Sequence, residues 1–140
     1  MKTPIRYAGG KSKAYNIITE QIPKLPLPKR IISPFMGGGS LESRWSSELD
    51  IEVIGYDIFD ALTNFWNVLL TDSNGLADKL ASLPPTKDKY KEIKEILIQW
   101  DYTQDMLSEW KTDHYKRDGI TLDYLTAAAY YFYNHNLSYG

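Results

Sequence analysis

The sequence predicts an α/β fold in which parallel strands are joined by a helix. An apolar run at residues 31–32 leads through a glycine-rich turn into a segment of helical character at 40–49, and a second β-prone run at 51–56 ends on Asp57. Two parallel strands need such a crossover, because a tight hairpin joins only antiparallel strands. From about residue 72 onwards, by contrast, the sequence shows helical patterns only.

The turn between the first strand and the helix has the features of a ligand-binding loop. Gly37, Gly38 and Gly39 allow a sharp bend and leave no side chains between the backbone and a ligand. The helix that follows directs free N–H groups toward the same place. Asp57 comes 20 residues after Gly37, about the separation at which a carboxylate reaches a ribose hydroxyl in nucleotide-binding α/β units. The stretch therefore predicts a nucleoside site across the ends of two parallel strands.

One position in the turn bears on which nucleoside binds. The dinucleotide fingerprint has a third glycine five residues after the first, and Glu42 occupies that position. An acid is a poor neighbour for a pyrophosphate, whereas a ligand with a cationic centre and no phosphate tolerates it. This favours S-adenosylmethionine over NAD. The alternative is that the glycines form only a tight turn, since glycine-rich turns are common.

Composition limits the classes of protein to consider. The 140 residues contain no cysteine and only two histidines, His114 and His135, so neither a disulfide framework nor a metal site is predicted. No apolar run approaches the ~20 residues of a membrane span, and the N-terminus lacks a secretion signal. We expect a soluble, intracellular protein of the cytoplasm.

Charge is spread unevenly along a chain whose net charge is −2. Residues 1–30 contain seven bases and one acid, a net +6, and the other 110 residues therefore carry −8. This asymmetry fits a basic end that meets a polyanion, and it equally fits a solvated basic face.

The remaining elements are predicted to be helices. Their expected ranges are residues 12–21, 61–70, about 87–100 and 121–133. Asp60 and Thr86 are the predicted N-caps of the second and third of these helices, and 71–75 is predicted to be a turn. Residues 101–110 either extend the third helix or begin another. The tryptophans at 45, 66, 100 and 110 are expected to pack in the core.

Three motifs, in order, resemble those of the Dam-like DNA adenine methyltransferases. They are Tyr-Ala-Gly-Gly-Lys at 7–11, Pro-Phe-Met-Gly-Gly-Gly-Ser at 34–40 and Tyr-Asp-Ile at 56–58. These enzymes move a methyl group from S-adenosylmethionine to the exocyclic amino nitrogen of adenine in double-stranded DNA. The resemblance implies a Rossmann-like methyltransferase fold with an inserted helical DNA-recognition region. Residues 1–71 would belong to the cofactor-binding domain and 72–140 would begin the recognition domain.

The resemblance also implies roles for individual residues. The cofactor contacts would be Tyr7, Lys11, Phe35, Gly37, Gly39 and Asp57. The charge of Lys11 can pair with the methionine carboxylate, and Asp57 can accept two hydroxyl hydrogen bonds. The DNA contacts would be Asn134 and His135, at the end of the last predicted helix.

Three features depart from the family pattern. Ser33 stands where an acid often precedes the Pro-Phe pair, and His135 stands where an arginine commonly follows the asparagine. The catalytic Asp-Pro-Pro-Tyr, which holds the flipped adenine, does not occur; the Pro-Pro pair at 84–85 follows Leu83. No catalytic residue is therefore predicted, and we expect no methyl transfer by these 140 residues alone. Because only two strands are predicted, and parallel sheets are larger and covered on both faces, we expect an N-terminal part of a larger protein.

Two other classes remain for comparison. A non-catalytic module that binds S-adenosylmethionine, or acts with a partner chain, also fits a sequence without the catalytic motif. A phosphate-binding Walker loop is suggested by Gly-Gly-Lys-Ser at 9–12, but Ile5 stands where that pattern has glycine and the segment before it is too short for a strand.

Overall fold

The computed structural model describes residues 3–100 and 122–138. The chain divides into two compact units, Met1–Ile58 and Phe59–Gly140. The first contains helices and strands, and the elements described in the second are helices. The predictions for residues 101–110 and for the tryptophan at 110 lie outside the described residues, as does the histidine at 114.

The first unit contains the predicted parallel strands. β1, Arg30–Ser33, pairs with β2, Glu52–Gly55, in a parallel register that places Ile31 beside Val53. The ladder continues past both strands, because the N–H of Tyr56 donates to the Ser33 carbonyl over 2.7 Å and the N–H of Met36 donates to the Tyr56 carbonyl over 2.9 Å. The predicted parallel pairing is confirmed, and the extra bonds fix where the chain leaves the sheet.

Two helices complete the first unit. The 12–21 prediction is only partly right: residues Lys11–Ala14 form a 3₁₀ turn, and α1 covers Tyr15–Thr19. No side chain caps the 3₁₀ turn and its first turn holds no acid, so the α-helix begins late. The crossover helix, α2, covers Glu42–Leu49 and starts two residues after the predicted position.

The core of the first unit lies between these helices and the sheet. Tyr15, Leu41 and Trp45 form its buried centre, against which Ile31 and Val53 pack from the strands. The indole N–H of Trp45 donates to the hydroxyl of Thr19 over 2.9 Å, so burial leaves that donor paired. The prediction that the tryptophan at 45 packs in the core is confirmed.

The second unit consists of helices over its described residues. They are α3, Asp60–Thr71; α4, Ser73–Ala81; α5, Lys87–Gln99; and α6, Tyr124–Leu137. α6 contacts each of the other three, and its alanines at 127–129 are fully buried. Small side chains allow neighbouring helices to approach closely, which explains why α6 can lie at the centre.

The structure corrects two of the local predictions. Phe59, and not Asp60, occupies the N-cap position of α3, and its side chain makes no capping bond. The predicted turn at 71–75 is wrong, because α4 starts at Ser73 and the carboxylate of Asp72 accepts the N–H of Gly75 over 3.0 Å. Aspartate, serine and asparagine favour both turns and helix N-termini, since their side chains bond to nearby backbone N–H groups.

The cap of α5 and the burial of two tryptophans are confirmed, and the predicted range of the last helix is right only in part. Thr86 caps α5, its hydroxyl accepting the N–H of Lys89 over 3.2 Å. Trp66 and Trp100 are buried. The last helix begins three residues later than predicted and continues four residues further, so it includes the pair at 134–135.

Within the described residues, no helix has both the length and the apolar character needed to cross a bilayer.

The predicted boundary between 71 and 72 separates two functional domains, whereas the compact units, which meet at 58–59, are defined by contacts. By its contacts α3 belongs with the later helices. The assignment of residues 1–71 to a cofactor-binding domain stays a prediction.

Candidate functional site

The backbone of the turn between β1 and α2 fixes the shape of that turn. Gly37 and Gly39 adopt φ values of 52° and 61°, in the left-handed region that glycine enters at little cost. The N–H of Gly39 donates to the Met36 carbonyl over 3.0 Å, and the Gly39 carbonyl accepts the N–H of Ser43, also over 3.0 Å. These bonds close the turn and lead directly into α2.

The N-terminal motif lies against this glycine turn. A Cβ atom added at Gly38 would be 2.6 Å from the Cβ of Tyr7, and one added at Gly37 would be 3.2 Å from the Tyr7 ring. The hydroxyl of Thr3 donates to the Gly38 carbonyl, and the N–H of Gly10 donates to the Tyr7 carbonyl over 3.0 Å. Glycine is therefore needed at 38 because of close packing, whereas at 37 it is needed for conformation as well.

Asp57 reaches the same turn from the end of β2. Its Oδ2 accepts the N–H of Gly37 over 2.8 Å. Parallel pairing brings the carboxyl ends of β1 and β2 to one edge, which is why residues 20 positions apart meet there. The spacing predicted this meeting, and the structure shows it.

These three segments enclose a cavity of about 290 Å³. It is lined by residues 7–11, 35–38, 40–42 and Asp57. Five of the six residues proposed to contact the cofactor are among them: Tyr7, Lys11, Phe35, Gly37 and Asp57. Phe35 is 81% exposed, so its ring is open to an incoming ligand. Gly39 is not a lining residue, and its part is to shape the turn.

The predicted site residues did not include Glu42, which lines the cavity, or Ser33, which is hydrogen-bonded to Glu42. Glu42, at the start of α2, lines the cavity and is only 9% exposed. The hydroxyl of Ser33, at the end of β1, donates to Oε1 of Glu42 over 2.5 Å. An acid in the first turn of a helix that follows a glycine loop was the available sequence signal, but it does not say which way the side chain points.

The cavity wall has a mixed charge. Glu42 and Asp57 contribute carboxylates, Lys11 contributes an ammonium group, and Tyr7 and Phe35 contribute aromatic rings. Phosphates are bound in proteins by clusters of cations and N–H groups, so a site with two acids disfavours them. The arrangement suits a nucleoside that carries both positive and negative groups.

A second cavity of the first unit, about 560 Å³, contains a formed ion pair. The Nε of Arg44 lies 2.8 Å from Oε1 of Glu48, and the Arg44 guanidinium lies over the ring of Tyr15, 3.3 Å from its centre. The hydrogen bond from Arg44 holds the pKa of Glu48 below its usual range. Burial, followed by the hydrogen bond to Glu48, raises the pKa of Tyr15. These groups are engaged with one another, and none was a predicted site residue.

The two predicted DNA contacts lie in the last turns of α6. The ring of His135 lies 5.6 Å from that of Tyr131, centre to centre. The Oδ1 of Asn134 is buried and has no hydrogen-bond partner among residues 3–100 and 122–138. Their contact with DNA stays a prediction.

The sequence model of the family described as D12 class N6 adenine-specific DNA methyltransferase matches residues 7–139. The chain belongs to this family. Neither a curated protein nor a solved structure matches it.

Membership of the D12 class gives the reaction class and the substrate. The family transfers a methyl group to N6 of adenine in DNA. The match starts at Tyr7, the first residue of the N-terminal motif, and it includes every residue that lines the first cavity. In the described part of the chain, no group of three or more histidine, aspartate or glutamate side chains is arranged to hold a metal ion.

Proposed function

We propose that the cavity at the glycine turn binds S-adenosylmethionine, and that this D12 class chain belongs to a Rossmann-like adenine methyltransferase domain. The observation that carries the proposal is the contact of Asp57 with the N–H of Gly37 over 2.8 Å. It unites an acid able to accept ribose hydroxyls with the turn that a nucleoside would approach. When bound, the cofactor supplies a methyl group on a sulfonium centre for transfer to the amino nitrogen of adenine.

The chemical character of the cavity supports this choice of ligand. Lys11 can pair with the methionine carboxylate, and Asp57 can accept hydrogen bonds from the ribose. Tyr7 and Phe35 offer aromatic faces to the nucleoside, and Gly37 brings backbone close to it. Gly39 acts through the shape of the turn. NAD fits less well, because its pyrophosphate would meet Glu42 at the start of α2.

The second unit is proposed to take part in recognition of double-stranded DNA. Residues from about 72 onwards would begin a helical recognition region inserted into the methyltransferase domain. Asn134 and His135 lie near the end of α6 and carry hydrogen-bonding groups of the kind that contact base edges and phosphates. The basic segment at 1–30 would add charge attraction to phosphates.

A second candidate function is binding of S-adenosylmethionine without turnover, alone or beside a partner chain. One observation favours it for the 140 residues taken by themselves: they contain no Asp-Pro-Pro-Tyr. We expect the purified chain to bind the cofactor but to transfer no labelled methyl groups to adenine-containing duplex DNA. Incorporation of label would overturn that expectation and favour a complete catalytic site.

The test of the proposed site is the affinity for S-adenosylmethionine, measured by isothermal titration calorimetry. Asp57→Ala should weaken binding about 10- to 150-fold, because a hydrogen bond to a charged group contributes roughly 1.5–3 kcal/mol. Asp78→Ala, at an exposed position of α4, is the matched control and should leave the affinity unchanged. An unaltered affinity in Asp57→Ala refutes the site, and stabilisation by NAD instead of S-adenosylmethionine refutes the choice of ligand.

A further inference from the structure

Glu42 is a buried acid that the proposed site does not yet use. It is 9% exposed, lines the cavity, and begins the helix that follows the glycine turn. Its Oε1 accepts the hydroxyl of Ser33 over 2.5 Å. No lysine, arginine or histidine in the described ranges, 3–100 and 122–138, forms an ion pair with it.

The Glu42 carboxylate has acceptor positions that the Ser33 hydroxyl does not fill. A carboxylate removed from water loses hydration that only charge pairing or several hydrogen bonds can replace. Its two oxygens offer about four acceptor positions, and the Ser33 hydroxyl uses one of them. Because Glu42 lines the cavity, a donor or cation carried by the ligand can complete its coordination.

We propose that Glu42 binds the α-ammonium group of the methionine moiety of S-adenosylmethionine, with Ser33 as its positioning residue. The inference rests on the proposed function. The ligand carries two cationic centres, of which the sulfonium has no N–H or O–H to donate and the ammonium has three. A hydrogen-bonded carboxylate matches the ammonium, since charge-assisted N–H···O bonds are the strong ones.

The other charged groups of the cavity are consistent with Glu42 binding the ammonium group. Lys11 lines the same cavity and is the complement of the methionine carboxylate. Asp57, anchored on the Gly37 N–H, is assigned to the ribose. The two acids are anchored on different elements, Glu42 on β1 through Ser33 and Asp57 on the glycine turn. Each acid thus has its own part of the ligand, and the ligand's ammonium and carboxylate each meet an opposite charge.

The test compares three ligands that differ in the groups at issue. S-adenosylmethionine carries both the ammonium and the sulfonium, S-adenosylhomocysteine carries the ammonium alone, and 5′-methylthioadenosine carries neither. Glu42→Gln keeps the shape of the side chain and a carbonyl oxygen for Ser33. It should lower the affinity for the first two ligands about 10- to 100-fold and leave that for 5′-methylthioadenosine within about twofold.

Control variants separate this effect from others. Glu52→Gln alters an exposed acid paired with Arg30 and should change none of the three affinities. Asp57→Asn should weaken all three ligands together. Ser33→Ala should reproduce part of the selective loss seen in Glu42→Gln, whereas Ser33→Thr, which keeps the hydroxyl, should bind all three ligands as the unaltered chain does. Thermal unfolding of each variant shows that it is folded, and the serine pair tests the inference even where Glu42→Gln is unstable.

Each remaining outcome overturns a defined statement. If Glu42→Gln weakens S-adenosylmethionine but not S-adenosylhomocysteine, the acid faces the sulfonium and the ammonium assignment is wrong. If it weakens all three ligands equally, or none, Glu42 does not read the amino acid moiety. If the unaltered chain binds none of the three, the proposed function itself fails, and the inference fails with it.

Discussion

The two compact units differ in what their geometry depends on. In the first unit the shape of the cavity depends on glycine backbone. Gly37 and Gly39 have positive φ, and Gly38 packs closely against Tyr7. In the second unit the decisive contacts are made by large side chains. The ring of Phe65 is stacked on that of Phe132, with centres 5.3 Å apart and planes 8° from parallel.

The treatment of apolar surface differs in the same way. In the first unit Phe35, which lines the cavity, is exposed, and so are Tyr56 and Ile58 on either side of Asp57. In the second unit Leu62 and Phe65 of α3 are fully buried. A binding cavity requires surface that the fold leaves unpacked, whereas a helical cluster is stabilised by filling space. Added volume should therefore harm the first unit, and removed volume the second.

The largest effect on stability is expected from Phe65→Ala. Phe65 is 1% exposed and contacts the rings of Trp66, Tyr131 and Phe132. Removal of a buried phenylalanine ring costs about 3–5 kcal/mol, the lost transfer energy plus that of the cavity left behind. Urea unfolding followed by far-ultraviolet circular dichroism measures this loss.

The matched control lies on the same helix. Leu70 is 78% exposed, so Leu70→Ala should change the free energy of unfolding by no more than about 0.5 kcal/mol. At temperatures where Phe65→Ala remains folded, its affinity for S-adenosylmethionine should equal that of the unaltered chain, because every cavity residue belongs to the first unit. Equal losses of stability in Phe65→Ala and Leu70→Ala would contradict the statement that buried volume stabilises the second unit.

A smaller loss of stability, with a large loss of binding, is expected from Gly38→Ala. The added methyl group would lie 2.6 Å from the Cβ of Tyr7, so the N-terminal segment must move away from the turn. Overpacking of this kind costs about 1–3 kcal/mol, and the displaced Tyr7 should weaken S-adenosylmethionine binding about tenfold or more. Calorimetric titration beside thermal unfolding separates the two effects.

Gly9→Ala distinguishes crowding from backbone strain. Gly9 has a φ of 77°, but no atom lies within 4 Å of an added Cβ. The substitution therefore brings the left-handed penalty of roughly 1–2 kcal/mol without a clash. Gly9→Ala should therefore weaken S-adenosylmethionine binding less than Gly38→Ala does. If the two variants lose the same affinity, contact between Tyr7 and the turn is not what shapes the cavity.

Local signals made much of this architecture predictable. The order of strand, glycine turn, helix and strand fixes a parallel pair, and the parallel pair brings Asp57 to Gly37. Thr86 was recognisable as a cap because its type and its place before a periodic segment agree. These features depend on neighbours in sequence or on a single crossover.

Other features were not predictable, because sequence does not specify orientation or competing partners. Asp-Ser-Asn-Gly at 72–75 satisfies the rules for a turn and for a helix start equally well, and packing of α4 against α3 and α6 decided between them. The bond from Ser33 to Glu42 depends on which way the first turn of α2 faces. Similarly, three adjacent glycines do not reveal that two line the cavity while Gly39 only bends the chain.

The smallest effect tests a polar contact of the second unit, the N-cap of α6. The carboxylate of Asp123 accepts the backbone N–H of Thr126 over 2.8 Å and its hydroxyl over 2.7 Å. Asp123→Ala should lower the free energy of unfolding at neutral pH by about 1 kcal/mol, the usual contribution of such a cap. Thr86→Ala, which removes the hydroxyl cap of α5, is the control because no titratable group is lost.

The pH dependence identifies the charged cap. The hydrogen bonds from the hydroxyl and the backbone of Thr126 hold the pKa of Asp123 below its usual range. A depressed folded-state pKa means that the ionised cap stabilises the folded chain above the unfolded-state pKa of about 4, and that this stability is lost as pH falls through the lower, folded-state value. The difference between the unaltered chain and Asp123→Ala should therefore shrink on acidification, whereas the Thr86→Ala difference should not. A constant Asp123→Ala difference across that range would show that the side chain acts through shape or helix propensity and not through its charge.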